Sequence, residues 1–180
     1  MRLDHIAYRT ADRNKTAEFF IKGFGYQIAE EFEIYFDEAK TLKAQCLALI
    51  PIERVGLGEM PFRLPYALIE GMPEYHIAPE IFISDGNEGS IVGDWVKARG
   101  GIGGVHHLAY QVDCVQQIML DWTEKGLATF MSKEPLRCPG LTQVFTHPHP
   151  LTGVIYEFIE RTTVGFCKEN VRSLMESSRG

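Results

Sequence analysis

No apolar run in this chain approaches the roughly 20 residues needed to cross a bilayer; the longest near-candidate, Cys46 to Ile52, is strand-sized. The opening MRLDHIAYRT has an acid and a histidine where a secretory signal needs an apolar stretch, so a cytoplasmic protein with no membrane partner is expected. Basic clusters are missing too. No more than two basic residues adjoin, and the net charge is −6, which argues against a nucleic-acid partner but leaves room for a local basic pocket for an anionic substrate. Cys46, Cys114, Cys138 and Cys167 form no CxxC pair. That spacing disfavours structural zinc or a redox dithiol and reads as buried or incidental thiols in a reducing compartment.

What the chain does contain is an echo. Asp4-His5-Ile6-Ala7-Tyr8 returns as His106-His107-Leu108-Ala109-Tyr110 about 100 residues later. Each segment alternates like a strand, and each is followed by an acid, Asp12 or Asp113, placed to cap a helix. Ala17, Phe20, Ile21 and Phe24 then keep helical spacing up to Gly25, as Val115, Ile118, Met119 and Trp122 do up to Gly126. Further strands are expected at Tyr26–Tyr35, Leu42–Ile50 and Glu80–Ser84, and again at Ala128–Lys133, Leu141–His147 and Val154–Glu160. The result is strand–helix–strand–strand–strand, twice.

The units predicted are a first module over 1–89, with an inserted loop at about 51–79 that could cover a cleft, and a second module over 105–162. Between them lies 90–104, a linker helix (Ser90–Arg99) followed by a glycine-rich join. That join follows a helix and precedes a strand, the reverse of the order a phosphate cradle requires. The tail, 163–180, is expected to form an amphipathic helix that packs on the domain or on a second copy, so a homodimer is left open. Phe19, Phe20, Phe24 and Trp122 are read as core.

His5 and His107 hold the same place in the two echoed strands, and symmetric ligands converging on one metal would have to recur in this way. Glu157 falls on the apolar face of Val154–Ile159, where an ionised acid is costly without a partner. Glu80 is the matching acid of the first copy, and Glu70 competes with it. Two imidazoles plus one or two carboxylates suit one divalent ion: Fe(II), Mn, Co, Ni or Zn. His147 and His149, spaced by proline, read as an exposed turn, and His76 as solvent-facing.

Together, Asp4–Tyr8, Ser90–Trp95 with Gly104–Tyr110, and His147-Pro148 with Gly153–Glu157 resemble the vicinal oxygen chelate superfamily, in particular its methylmalonyl-CoA epimerase-like members. The resemblance implies an α+β fold in which two βαβββ modules form a mixed, half-open, barrel-like cup. It places His5, His107 and Glu157 on the metal-ligand positions and Glu80 on a fourth. It also implies a small-molecule substrate, an acyl-CoA or 2-oxo acid, whose neighbouring oxygens bind the metal while an enolate is stabilised and Glu157 serves as a base. The leading reading is a metal-dependent epimerase or isomerase that shifts a proton next to a carbonyl, as in acyl-CoA epimerisation, with a dioxygenase as runner-up. A two-base epimerase needs a second acid on an inner strand of the first module. Here Leu42–Ile50 offers Gln45, so Glu33, Glu53 or a loop acid would have to substitute. A non-haem Fe(II) dioxygenase needs only the two histidines and one carboxylate, and is favoured if Glu80 is not a ligand. A metal-free binding protein is the third reading. By alternation, His106 should point away from His107.

Overall fold

A computed structural model describes residues 1–52, 78–162 and 165–177, together with the backbone of two short strands between the first two stretches. Glu53, Glu70 and His76 lie outside the described residues. The first repeat runs β1 (Arg2–Arg9), α1 (Arg13–Phe24), β2 (Tyr26–Tyr35) and β3 (Lys43–Pro51). The hairpin β4 (Arg63–Ile69) and β5 (Met72–Tyr75) follows, and β6 (Glu80–Gly86) completes the repeat. After α2 (Ile91–Ala98) come β7 (Gly104–Gln111), α3 (Val115–Glu124), β8 (Leu136–Cys138), β9 (Leu141–Phe145), β10 (Ile155–Arg161) and α4 (Lys168–Ser177).

Eight strands join in one sheet, ordered β2-β3-β6-β1-β7-β10-β9-β8, with β4 and β5 apart as a pair. The two repeats meet where β1 lies antiparallel to β7 at the middle, and β6 and β10 flank them in parallel. This is the α+β, half-open cup of two βαβββ units. α1 covers the convex face of the first repeat through Ala17, Phe20 and Ile21 against Leu47, Leu49, Ile81 and Ile83. α3 does the same in the second, with Val115 and Met119 against Val144 and Phe158. α2 and α4 lie on the concave side, where Ile91, Val92, Val171 and Met175 close over Ala7, Ala44, Cys46, Ala48 and Phe82. The tail helix therefore packs on its own domain.

Helix ends show how local chemistry sets the elements. Asp12 caps α1, its carboxylate accepting from the Lys15 N–H at 3.0 Å, and left-handed Gly25 ends the helix. Asp113 does not do the same for α3. The N-cap is Cys114, which makes no side-chain cap bond, and the orphan N–H of Val115 donates instead to the Glu160 carboxylate from β10.

Other expectations change in the folded chain. Ala128–Lys133 forms no strand beyond one bridge, Phe130 to Thr146; Phe130 and Met131 pack into the core as loop residues, and the strand beside β9 is Leu136–Cys138. The apolar pattern there marks burial without pairing. Phe19 and Phe24 are 60% and 62% exposed, because only Phe20 on that arc of α1 turns toward the sheet. Cys138 and Cys167 form a disulfide with Cα atoms 6.5 Å apart, so these two are not separate thiols. They are 29 residues apart in sequence, and only the return of the C-terminal segment over β8 brings them together.

The glycine-rich join does more than flex. A Cβ on Gly103 would sit 2.7 Å from the Arg9 carbonyl oxygen and 2.9 Å from the Thr10 Cα, so glycine lets the start of β7 press against the end of β1. Gly103→Ala should therefore lower stability by about 1–3 kcal/mol. Gly23→Ala, in α1 with open space around it, should raise it by about 0.5–1 kcal/mol. Urea unfolding of the two variants beside the parent checks both signs.

Candidate metal centre

The centre grows from the β1/β7 pairing. His5 stands opposite Ala109, and His107 opposite Ala7. The motif His-x-Ala is thus self-complementary: each repeat's alanine, almost wholly buried, leaves the space that the other repeat's imidazole fills. β10 pairs with β7 so that Glu157 lies beside Ala109, in the same row as His5. Three side chains from three strands then project into one concavity.

Their ligand atoms form a nearly equilateral triangle. His5 Nε2 and His107 Nε2 each lie 3.2 Å from Glu157 Oε2 and 3.3 Å from one another. Metal bonds of about 2.1 Å meeting between right angles and the tetrahedral angle separate ligand atoms by about 3.0–3.4 Å. The triangle has the size of one face of a divalent ion's coordination sphere. All three residues are buried.

Two bulges aim the rings. Along β1 the pairing skips Asp4, and along β7 it skips His106, the residue just before each histidine of the triangle. Asp4 Oδ1 lies 2.8 Å from His5 Nδ1, and His106 Nδ1 lies 3.0 Å from His107 Nδ1. With Nδ1 engaged on both rings, both Nε2 atoms are left to face Glu157. The bulge also overturns the simple alternation expected of His106. Instead of turning away, its ring stays buried beside His107 and packs edge-on against Trp95 of α2.

The electrostatics fit a cation site. Burial works against charge on Glu157, yet the two imidazoles outweigh it and hold the carboxyl at about 2. Burial also opposes charge on His5, but Glu157 and Asp4 raise its pKa to about 9. For His107 and His106, burial wins and the pKa falls. Asp4 is further held by Arg161 Nη2 at 2.9 Å, so the second carboxylate near the centre has its own counter-charge.

Glu80 is not brought to the triangle. It lies beside His5 on β6, but its carboxylate is 3.8 Å from Arg161 Nη1. Register explains the difference. The residue related to Glu157 by the repeat is Phe82, which pairs with Ala7 as Glu157 pairs with Ala109. His147 is exposed, and the His149 ring bonds the Leu127 carbonyl at 3.1 Å; among the described residues neither joins a metal-type cluster.

The cup wall above the triangle is mostly apolar: Phe82, Phe145, Phe166, Val171, Leu174 and Met175. α4 and the segment before it fill the mouth, Phe166 meeting His5 edge-on at 5.0 Å, and about 20 Å³ remains free. That is about one water. Four polar side chains on the wall were missed from sequence: Arg9, Ser84, His106 and Gln143. Counting by twos from His5 reaches Arg9, so strand parity alone could have found it.

No family model matches the chain. It is 24% identical over 156 residues to the human mitochondrial methylmalonyl-CoA epimerase, covering 87% of this chain and 72% of that one. In structure it resembles a crystallised methylmalonyl-CoA epimerase at a TM-score of 0.60 and 21% identity, over 91% of this chain and 97% of the other. It also resembles a variant of 4-hydroxymandelate synthase from Streptomyces coelicolor at a TM-score of 0.71 and 19% identity, over 98% of this chain; there it spans about half, 52%, of the other.

Removing one ligand should abolish tight metal binding without unfolding the cup. Glu157→Gln keeps the shape and should bind a divalent ion far more weakly, with an unchanged far-ultraviolet dichroism spectrum. Asp4→Asn, which loosens the aim of His5, should cost about 10–100-fold in metal affinity. Calorimetric titration with Co(II), Mn(II), Zn(II) and anaerobic Fe(II) reads both.

Proposed function

We propose that this chain, which carries the fold of the vicinal oxygen chelate superfamily and has relatives within it, is a metal-dependent enzyme acting on a small 2-oxo acid with O₂. The observation that carries the reading is the triangle of His5, His107 and Glu157, a two-histidine, one-carboxylate face with 3.2–3.3 Å sides. A divalent metal held there supplies Lewis-acid stabilisation of charge on two adjacent substrate oxygens, and as iron(II) the electron chemistry that O₂ requires.

The protein's own groups do the rest. Asp4 and His106 fix the imidazoles, so the face is set before substrate arrives. Phe82, Phe145 and Phe166 line an apolar chamber that keeps water from the reacting atoms. With about 20 Å³ free, substrate enters as the side chains of α4 withdraw, and their return expels solvent.

The choice of oxidation over epimerisation rests on what faces the cup among the described residues, which do not include Glu53 or the side chains of the other acids in 53–77. An epimerase needs bases on both faces of one carbon. On β3 the residues that pack into the concave core are Ala44, Cys46 and Ala48. Gln45 lies in the other register with Glu33, its amide donating to that carboxylate at 2.8 Å, and Lys43 pairs with Glu33 at 2.7 Å. Glu33 therefore does not serve as the missing base. Glu80 lies outside the triangle, with its carboxylate 3.8 Å from Arg161 Nη1, and this supports the dioxygenase reading. Epimerisation of an acyl-CoA remains the second reading because of the human relative, with Glu157 as one base.

An oxygen electrode and a deuterium label separate the readings. The Fe(II)-loaded protein should consume O₂ when 2-oxo acids are added, and Glu157→Gln should not. In D₂O, the Co(II)-loaded protein should leave a methyl-branched malonyl-CoA unlabelled. Deuterium uptake without O₂ consumption would replace the oxygenase by the epimerase. Neither activity in metal-loaded protein would indicate a binding protein.

A further inference from the structure

On β1, the face that presents His5 continues through Ala7 to Arg9. Arg9 is 1% exposed, heads the largest fully buried side chains, and lines the same cavity as the triangle. Its guanidinium stands 5.7 Å from the centre of the Trp95 ring, and Trp95 in turn packs on His106 at 5.9 Å. The cation is thus held in the cup floor at the end closed by α2. Since Ala7 pairs with His107, Arg9 lies two residues, about 7 Å, along the sheet from the level of that imidazole. Among the described residues that line the cavity it is the only lysine or arginine.

We propose that Arg9 is a specificity residue that binds a second anionic group of the substrate, so that the enzyme acts on 2-oxo dicarboxylates. This rests on the reading of the triangle as a metal site. The head of such a molecule, its carboxylate and neighbouring carbonyl, lies over His5, His107 and Glu157. Its far carboxylate meets the guanidinium fork, which suits two-point recognition of a planar carboxylate. Burial pulls the Arg9 pKa down to about 9, because the guanidinium has lost most of its contact with water. An incoming carboxylate would make up part of that loss, whereas an uncharged alkyl tail would leave the cost in place. A purely structural arginine, stacked on Trp95 for packing, would give no preference between a charged and an uncharged tail.

The test compares two acids of equal carbon length, 2-oxoadipate and 2-oxohexanoate, which differ in the terminal carboxylate. Cobalt(II)-loaded protein under argon is titrated with each by calorimetry, after the cobalt stoichiometry has been measured in the same preparation. The parent should bind the diacid at least about tenfold more tightly. Arg9→Gln should bring the two affinities together while leaving that of 2-oxohexanoate unchanged, and Arg9→Lys should restore part of the difference. Equal affinities in the parent, no binding of the diacid to cobalt-loaded protein, or a preference that survives in Arg9→Gln would each overturn the assignment. If Arg9→Gln does not fold, the parent comparison still decides. Failure to bind cobalt is a separate result: it removes the metal reading, and this proposal falls with it.

Discussion

The candidate site depends on one antiparallel pairing, that of β1 with β7. Two copies of the same short motif face each other across it, and each copy supplies both a ring and the gap for its neighbour's ring. A slip of one residue would carry every side chain to the other face and dismantle the triangle. A slip of two would keep the face but set imidazole against imidazole. The alanines Ala7 and Ala109 and the bulges at Asp4 and His106 fix one register by size and by hydrogen bonding. Around this seam the two repeats need only close their own convex faces with α1 and α3.

The polar burden of the seam is heavy for a protein interior. Asp4, His5, His106, His107 and Glu157 are all buried within a few residues of one another in the sheet. Buried charges persist where they are paired and hydrogen-bonded. Here Arg161 answers Asp4, and the imidazoles answer Glu157. The arrangement stabilises the fold less well than an apolar row of the same volume would, which is why it points to function. The chemistry of the cup is then set by the few positions around the triangle that differ from apolar packing, Arg9, Ser84 and Gln143 among them. A shared fold leaves such positions free to change, and relatives with one architecture can run different reactions.

Much of this was legible in the sequence because it was written twice. The repeated His-x-Ala-Tyr gave the strand pair, the approximate two-fold relation and two members of the triangle. Glu157 stood out as an acid on an apolar face. Bounds such as Tyr26–Tyr35 followed from alternation and the flanking glycine. What stayed hidden depends on register and on contacts between distant segments. Glu80 resembled the counterpart of Glu157 in composition, but pairing places Phe82 there. Alternation failed at His106 because a bulge adds a residue, and no local pattern announces a bulge. The Cys138–Cys167 disulfide and the covering of the cup by α4 arise from the return of the C-terminal segment, which spacing does not encode.

X-ray absorption on the metal-loaded protein tests the central claim most directly, because it reports the atoms around the ion. One divalent ion per chain should show two imidazole nitrogens and carboxylate oxygen at about 2.0–2.2 Å, with further oxygen donors completing the shell. A shell containing sulfur near 2.3 Å would place the ion at the cysteines. A shell without imidazole would likewise contradict the assignment of His5, His107 and Glu157.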